Sequence, residues 1–256
     1  MTQDWVIFFG AGVLDAATIL LLVLAAAFTS FLTAAVGIGG GVMLLAIMAS
    51  LVPLVALVPL HALVQVGSNG NRALMTRAHA DWSMFQYFAG GAVLGAVLAS
   101  FVVVQLPVIW IQLCVALFIL YLVWGPKPGK RQLSRQGQLG AGALTTLISV
   151  FVGATGPLVA GFVHRQDYDK LQITATFASC MTFQHLIKVL VFVSIGFGFW
   201  FWLPLALLMI AGGAVGTWLG LKLLHRIPGE RFKTLFRWVI TLLALRLLWD
   251  ASGYVF

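Results

Sequence analysis

The chain has 256 residues, 61% of them hydrophobic and 9% charged, with a formal net charge of +8. A soluble domain must cover itself with polar groups, so this balance excludes water as the main solvent. The basic residues flank apolar runs, where they orient a membrane chain, and nucleic-acid binding is set aside.

The N-terminus opens with Asp4, carries Asp15 and has no Lys or Arg before Arg72, which reads as a retained membrane segment and not as a signal peptide. The runs 16–36, 84–104, 171–195 and 203–224 each supply the ~20 apolar residues that cross a hydrocarbon core about 30 Å thick. With loops allowed for, the chain has room for roughly six to eight crossings. Barrel strands are about ten residues long and alternate in polarity. These runs are longer and apolar all round, so the fold is helical.

Gly37, Ile38, Gly39, Gly40 and Gly41 break the first apolar stretch, since consecutive glycines do not hold a helix interior. At membrane depth such backbone must line a cavity or be buried in protein. The helix starting after it presents free N–H groups and a positive dipole end that favour an anion. The next helix carries His61, Gln65, Ser68, Asn69 and Arg72 at spacings that form one continuous face, with Asn71 one residue off it.

Arg77 then precedes the run 84–104, and Lys127, Lys130, Arg131 and Arg135 fill the one long polar loop. Arg165 and Lys170, and then Lys222, Arg226, Arg231 and Lys233, mark two further basic loops. The positive-inside rule puts all of these in the cytoplasm. The uncharged connections 105–108 and 196–204 face outward, and a last helix, 234–249, ends outside with Arg246 reaching water beside Asp250. Trp82, Trp124 and Trp238 fall at cytoplasmic ends and Trp110, Trp200, Trp202 and Trp249 at external ends, as an aromatic belt requires. Cys114 and Cys180 lie in apolar runs without metal spacing and read as buried thiols.

The second half repeats the first. Gly153, Ala154, Thr155, Gly156 and Pro157 form a second break, with the proline suited to a first helical turn. Lys188 follows Gly153 by 35 residues, as Arg72 follows Gly37. Gln184, His185 and Lys188 share one face, and Phe177 and Met181 stand where the first half has His61 and Gln65. Rows of small residues follow in both halves, Gly91, Gly95 and Ala99 and then Gly212, Gly216 and Gly220, a spacing that lets helix backbones approach closely in lipid. The helix with Arg72 ends at a basic loop and the helix with Lys188 at an uncharged aromatic one, so the halves are opposite in orientation. The expected fold is an all-α polytopic membrane protein of two inverted repeats. Each is a re-entrant, glycine-broken helix pair (16–36 with 41–52, and 137–152 with 157–163) followed by three transmembrane helices. The repeats cover 1–125 and 137–256, joined by a basic cytoplasmic linker at 126–136.

Intramembrane cations are expensive and mark function. No carboxylate faces Arg72 or Lys188, since Asp4, Asp15, Asp81, Asp167, Asp169, Glu230 and Asp250 all fall near ends or loops. The missing partner is an anionic substrate. The expected site comprises Gly39, Gly40, Gly41, His61, Gln65, Ser68, Asn69, Arg72, Thr155, Gly156, Gln184, His185 and Lys188, with no catalytic group, metal or cofactor. His79, His164 and His225 are read as solvated loop residues. An intramembrane enzyme would need a nucleophile with a base, and the nearest pair, Cys180 and His185, is five residues apart and off one face.

The glycine break 37–41, the 68–72 stretch, the second break with Lys188 and the repeated glycine rows resemble the sulfite exporter TauE/SafE family, also called the toluene sulfonate uptake permease family. The resemblance covers nearly the whole chain. It implies a carrier of the bacterial or archaeal inner membrane for sulfite, sulfoacetate or other organosulfonates, with coupling to protons or another ion left open, as is a passive anion channel. Two features depart from the family pattern: no proline follows the first glycine cluster at the usual distance, and the second cluster is reduced to Gly-Ala-Thr-Gly-Pro. Both bear on the ligand and not on the architecture.

Overall fold

A computed structural model of the protein describes residues 4–37, 39–102, 108–125, 132–164 and 166–223, and, of the C-terminal stretch, 238, 241, 242, 244, 245, 248 and 249. Lys127, Lys130, Arg131, Arg165, His225, Arg226, Glu230, Arg231, Lys233, Arg246, Asp250, the connection 105–107 and most of the helix expected over 234–249 lie outside the described residues. All regular structure among the described residues is helical. The order is α1 (Asp4–Phe9), α2 (Ala16–Val36), α3 (Gly40–Ala49), α4 (Leu54–Thr76), a short 3-10 turn (Arg77–His79), α5 (Trp82–Val102), α6 (Val108–Trp124), α7 (Arg135–Val152), α8 (Gly156–Val163), α9 (Lys170–Ser194) and α10 (Phe199–Leu223). Among the described residues, four helices are long and apolar enough to cross a bilayer: α2, α5, α9 and α10.

The starts of α2, α7 and α9 are capped by side chains. Asp15 accepts the Thr18 N–H at 2.7 Å at the start of α2, which holds its carboxyl below the usual carboxylate range. Ser134 accepts the Gly137 N–H at α7. At α9 Asp169 and Gln172 form a reciprocal capping box.

The two halves are interlocked. α2 packs on α10, α5 on α7 and α4 on α9 across the middle. Exchanging the halves, α2 for α7, α5 for α10 and α4 for α9, swaps the first two pairings and returns the third to itself. Spacing agrees: Leu54 starts α4 17 residues after Gly37, and Lys170 starts α9 17 residues after Gly153. The small-residue rows make the cross-contacts. A Cβ at Gly91 would overlap the Leu139 carbonyl of α7, and one at Gly216 would overlap the Ala27 carbonyl of α2. Without side chains at these points, backbones touch directly and dispersion holds the helices in a solvent as apolar as they are.

The polarity of the molecule is inverted relative to a soluble bundle. Leu20, Leu24, Phe28, Leu94, Leu98, Leu190 and Leu207 are exposed, while Arg72, at 1% exposure, and Lys188, at 0%, are among the largest fully buried side chains. This is the distribution a lipid solvent imposes, with polar groups turned toward protein. Two expectations are corrected. Cys114 is exposed on α6, where lipid solvates a thiol as well as protein does, and only Cys180 is buried. Trp202 turns into the apolar core beside Leu205 and Met209 instead of standing in a belt, whereas Trp82, Trp124, Trp200, Trp238 and Trp249 are exposed; the Trp110 side chain lies outside the described residues.

Candidate functional site

The two glycine breaks are built alike. Gly37 ends α2 at φ 96° and Gly153 ends α7 at φ 83°, left-handed values that a side chain resists. Each donates its N–H back to the helix it closes, Gly37 to Thr33 and Gly153 to Ser149, both at 2.9 Å. Three residues on, a short helix begins, α3 at Gly40 and α8 at Gly156. Neither has a side-chain cap, in contrast to α2, α7 and α9. The first amides of α3 and α8 thus start beside the break with their dipole ends unsatisfied by side chains.

Between these breaks lies a cavity of about 20 Å³. Its wall takes Thr33 from α2, Gly39, Gly41 and Val42 from the first break, His61, Gln65 and Asn69 from α4, Ala154, Gly156 and Pro157 from the second break, and Phe177, Met181 and His185 from α9. A space of this size holds about one water-sized group. A Cβ at Gly41 would come within 3.1 Å of the Gln65 amide nitrogen, which would have to shift by a few tenths of an ångström.

On α4 the polar face forms a ladder. Arg72 donates to Asn69 Oδ1 at 3.1 Å, and Asn69 donates to Gln65 Oε1 at 2.8 Å. Gln65 Nε2 lies 3.3 Å from His61 Nε2, which is also 2.9 Å from the Gly41 carbonyl. One ring nitrogen cannot both donate to Gly41 and accept from Gln65, so the His61 proton decides which bond forms. The Nε of Arg72 is buried without a partner. Ser68 bonds Ser30 of α2 at 2.8 Å and points away from this ladder.

The second half is wired differently. Gln184 donates to Thr145 at 3.0 Å and Thr146 at 3.1 Å, and accepts from Thr155 at 2.9 Å, tying α9 to α7 and to the break. The Lys188 ammonium donates to Ser149 Oγ at 2.9 Å, to the Ser149 carbonyl at 3.4 Å and to the Gly153 carbonyl. It sits on the C-terminal oxygens of α7, where the helix dipole is negative. His185 is fully buried, its ring meeting that of His61 edge-on with centroids 5.7 Å apart.

A family model described as sulfite exporter TauE/SafE matches residues 22–247, which is most of the chain. The chain belongs to the TauE/SafE family. No curated protein and no solved structure matches it. TauE/SafE membership and the apolar helices together make this a multi-pass membrane protein of a transporter family.

In this TauE/SafE chain, seven of the residues singled out from sequence meet at the cavity: Gly39, Gly41, His61, Gln65, Asn69, Gly156 and His185. The other six do not line it. Gly40 presses on the Thr29 carbonyl of α2, and Ser68, Arg72, Thr155, Gln184 and Lys188 are engaged by protein groups. Asn71 stays half-buried off the face, and His79 and His164 are exposed. Thr33, Val42, Phe177 and Met181 line the cavity outside the expected set, together with Ala154 and Pro157 of the second break, and the Ser149 and Gly153 oxygens that hold Lys188 were not expected either. Sequence carried one signal for all of these but Phe177 and Met181, their position within four residues of a glycine break. Cys180 packs with Met84, Phe88 and Met181 in an apolar cluster, away from nucleophilic chemistry.

Proposed function

We propose that the chain is a secondary transporter of small sulfur-containing anions, sulfite, sulfoacetate or another organosulfonate, working as an exporter in the inner membrane. The observation that carries this reading is the cavity between two glycine breaks, faced by the starts of α3 and α8 and by neutral donors, with Arg72 and Lys188 buried nearby. No carboxylate among the described residues lines it. Uncapped amides and side-chain donors bind a tetrahedral oxyanion as they bind phosphate, and the two cations supply the field. The family description supports the substrate class.

On this reading the halves 1–125 and 137–256 are inverted repeats, each with a re-entrant broken pair, and rocking one against the other alternates access to the anion. The exchange of packing partners between halves supports it. The basic loops face the cytoplasm and the C-terminus lies outside. The protein acts as a carrier and not as an enzyme. In proteoliposomes, labelled sulfite uptake is expected to saturate and to be accelerated by sulfite inside. Flux that rises linearly with concentration and shows no counterflow would instead mean a passive channel.

A further inference from the structure

The two imidazoles at the centre of the cavity are in an unusual state. His61 is 0% exposed and His185 1%, and the Nδ1 atom of each is buried with no hydrogen-bond partner. An orphaned imidazole nitrogen inside a protein costs free energy that a structural histidine avoids by finding a carbonyl or hydroxyl. Here two such nitrogens occur side by side, one from each half, on residues that both line the cavity.

We propose that His61 and His185 form the proton site of this carrier, so that an anion enters the cavity together with one proton. The inference rests on the transport reading above and adds a proton that leaves with the anion, the outward drive being the anion's own gradient. Imidazole is the side chain whose charge changes near neutral pH. The groups facing it from elsewhere do not offer an alternative. Its own helices bring Arg72, bound to Asn69, and Lys188, bound to Ser149 and Gly153. Cys180 is packed among apolar side chains. The lining parts of α2, α3 and α8 and the second break contribute Thr33, Val42, Ala154 and Pro157, none of which titrates. On α5, Tyr87 faces Arg135, and on α10 Lys222 lies over Trp218, while α7 turns Ser149 toward Lys188.

The geometry gives the proton a defined course. With Nε2 bare, His61 accepts from Gln65. With both nitrogens protonated it donates Nε2–H to the Gly41 carbonyl, 2.9 Å away, and presents Nδ1–H to an anion. A proton alone would add a further positive charge to a pocket already flanked by two basic residues. An anion alone meets Nδ1–H of neutral His61 only in the tautomer that gives up the bond to the Gly41 carbonyl. Together each stabilises the other, and by linkage each raises the affinity for the other.

The test is calorimetric titration of the detergent-solubilised full chain with sulfoacetate near pH 7.5, in two buffers of different ionisation heat. Both acid groups of sulfoacetate are ionised there, so a proton taken from buffer goes to the protein. The expected result is about one proton taken up per anion bound, with apparent affinity falling about tenfold per pH unit on the alkaline side. His61→Gln with His185→Gln should bind more weakly and take up none. Binding by the wild-type chain without proton uptake overturns the inference and leaves the transport reading standing, and this needs no variant to fold. Undiminished uptake in the double variant overturns it too. If neither sulfoacetate nor sulfite binds, the transport reading fails and the inference goes with it.

Discussion

Lys188 shows how a residue's chemistry depends on what its donors reach. Its spacing from Gly153 marks it as an intramembrane cation, yet its ammonium bonds Ser149 and Gly153 at the end of α7. Its charge still acts on the cavity, and its donors also hold the break in shape. Lys188→Met leaves those oxygens unpaired, at a cost of about 1–3 kcal/mol. Sulfite flux is expected to drop by more than about tenfold and the melting midpoint in detergent to fall; normal flux would remove Lys188 from function. The two break glycines separate strain from crowding. Gly37 has φ 96° with open space around a Cβ, while Gly153 has φ 83° and Leu45 within 2.9 Å. Alanine at Gly37 should cost about 1 kcal/mol, the left-handed penalty alone. Alanine at Gly153 should cost roughly twice that, because Leu45 must also move. Thermal unfolding of the two variants side by side decides this.

At the scale of elements, packing is set by which glycines meet backbone. Gly90 and Gly91 are neighbours on α5, but a Cβ at Gly90 meets nothing within 4 Å and one at Gly91 overlaps the Leu139 carbonyl. Gly90→Ala is therefore expected to be neutral or slightly stabilising, by the helix propensity of alanine. Gly91→Ala must push α5 off α7 and should cost about 1–3 kcal/mol, read as loss of a monodisperse peak on size exclusion after mild heating. Equal behaviour of the two variants would mean that the α5–α7 contact is not close. The α4 ladder belongs to this scale as well. Helical spacing placed His61, Gln65, Asn69 and Arg72 on one face, and the hydrogen bonds run along that face residue by residue.

Besides the α2–α10, α5–α7 and α4–α9 contacts, the halves share a tie at one end. The Asp81 N–H donates to Thr176 at 2.9 Å, and Asp81 accepts from the Tyr168 hydroxyl. Partial burial pushes the Asp81 carboxyl up, but the Tyr168 hydroxyl and the Met84 and Ser83 N–H groups outweigh it and leave the carboxyl below its ordinary value. A carboxyl lowered by folding stabilises the native state above its unfolded pKa and loses that contribution as pH falls through the folded value. The Asp81 tie is thus expected to hold at neutral pH and weaken only in acid below about pH 4. Tyr168→Phe should loosen it at any pH, seen as faster amide exchange at Asp81. Sidedness is testable too. In a background lacking Cys114 and Cys180, Gly198→Cys should label with an impermeant maleimide in intact cells, and Ser134→Cys only in inverted vesicles. The opposite pattern would reverse the proposed orientation.

Several features were settled by local chemistry. Apolar run lengths dictated membrane helices, since 21 residues from Ala16 to Val36 suffice to cross lipid wherever they pack. Glycine at each helix end dictated the breaks, since φ 96° at Gly37 and 83° at Gly153 are open to glycine in any fold. The helical period dictated the polar face of α4. Other features needed three dimensions, because hydrogen-bond direction and close packing depend on residues far apart in the chain. Ser149 meets Lys188 across 39 positions and Ser30 meets Ser68 across 38. Nothing local to either residue says whether its donor faces a cavity or a neighbour's carbonyl. Seven expected site residues reach the cavity because α4, α9 and both breaks converge there, and Lys188 turns away because the end of α7 supplies oxygens first.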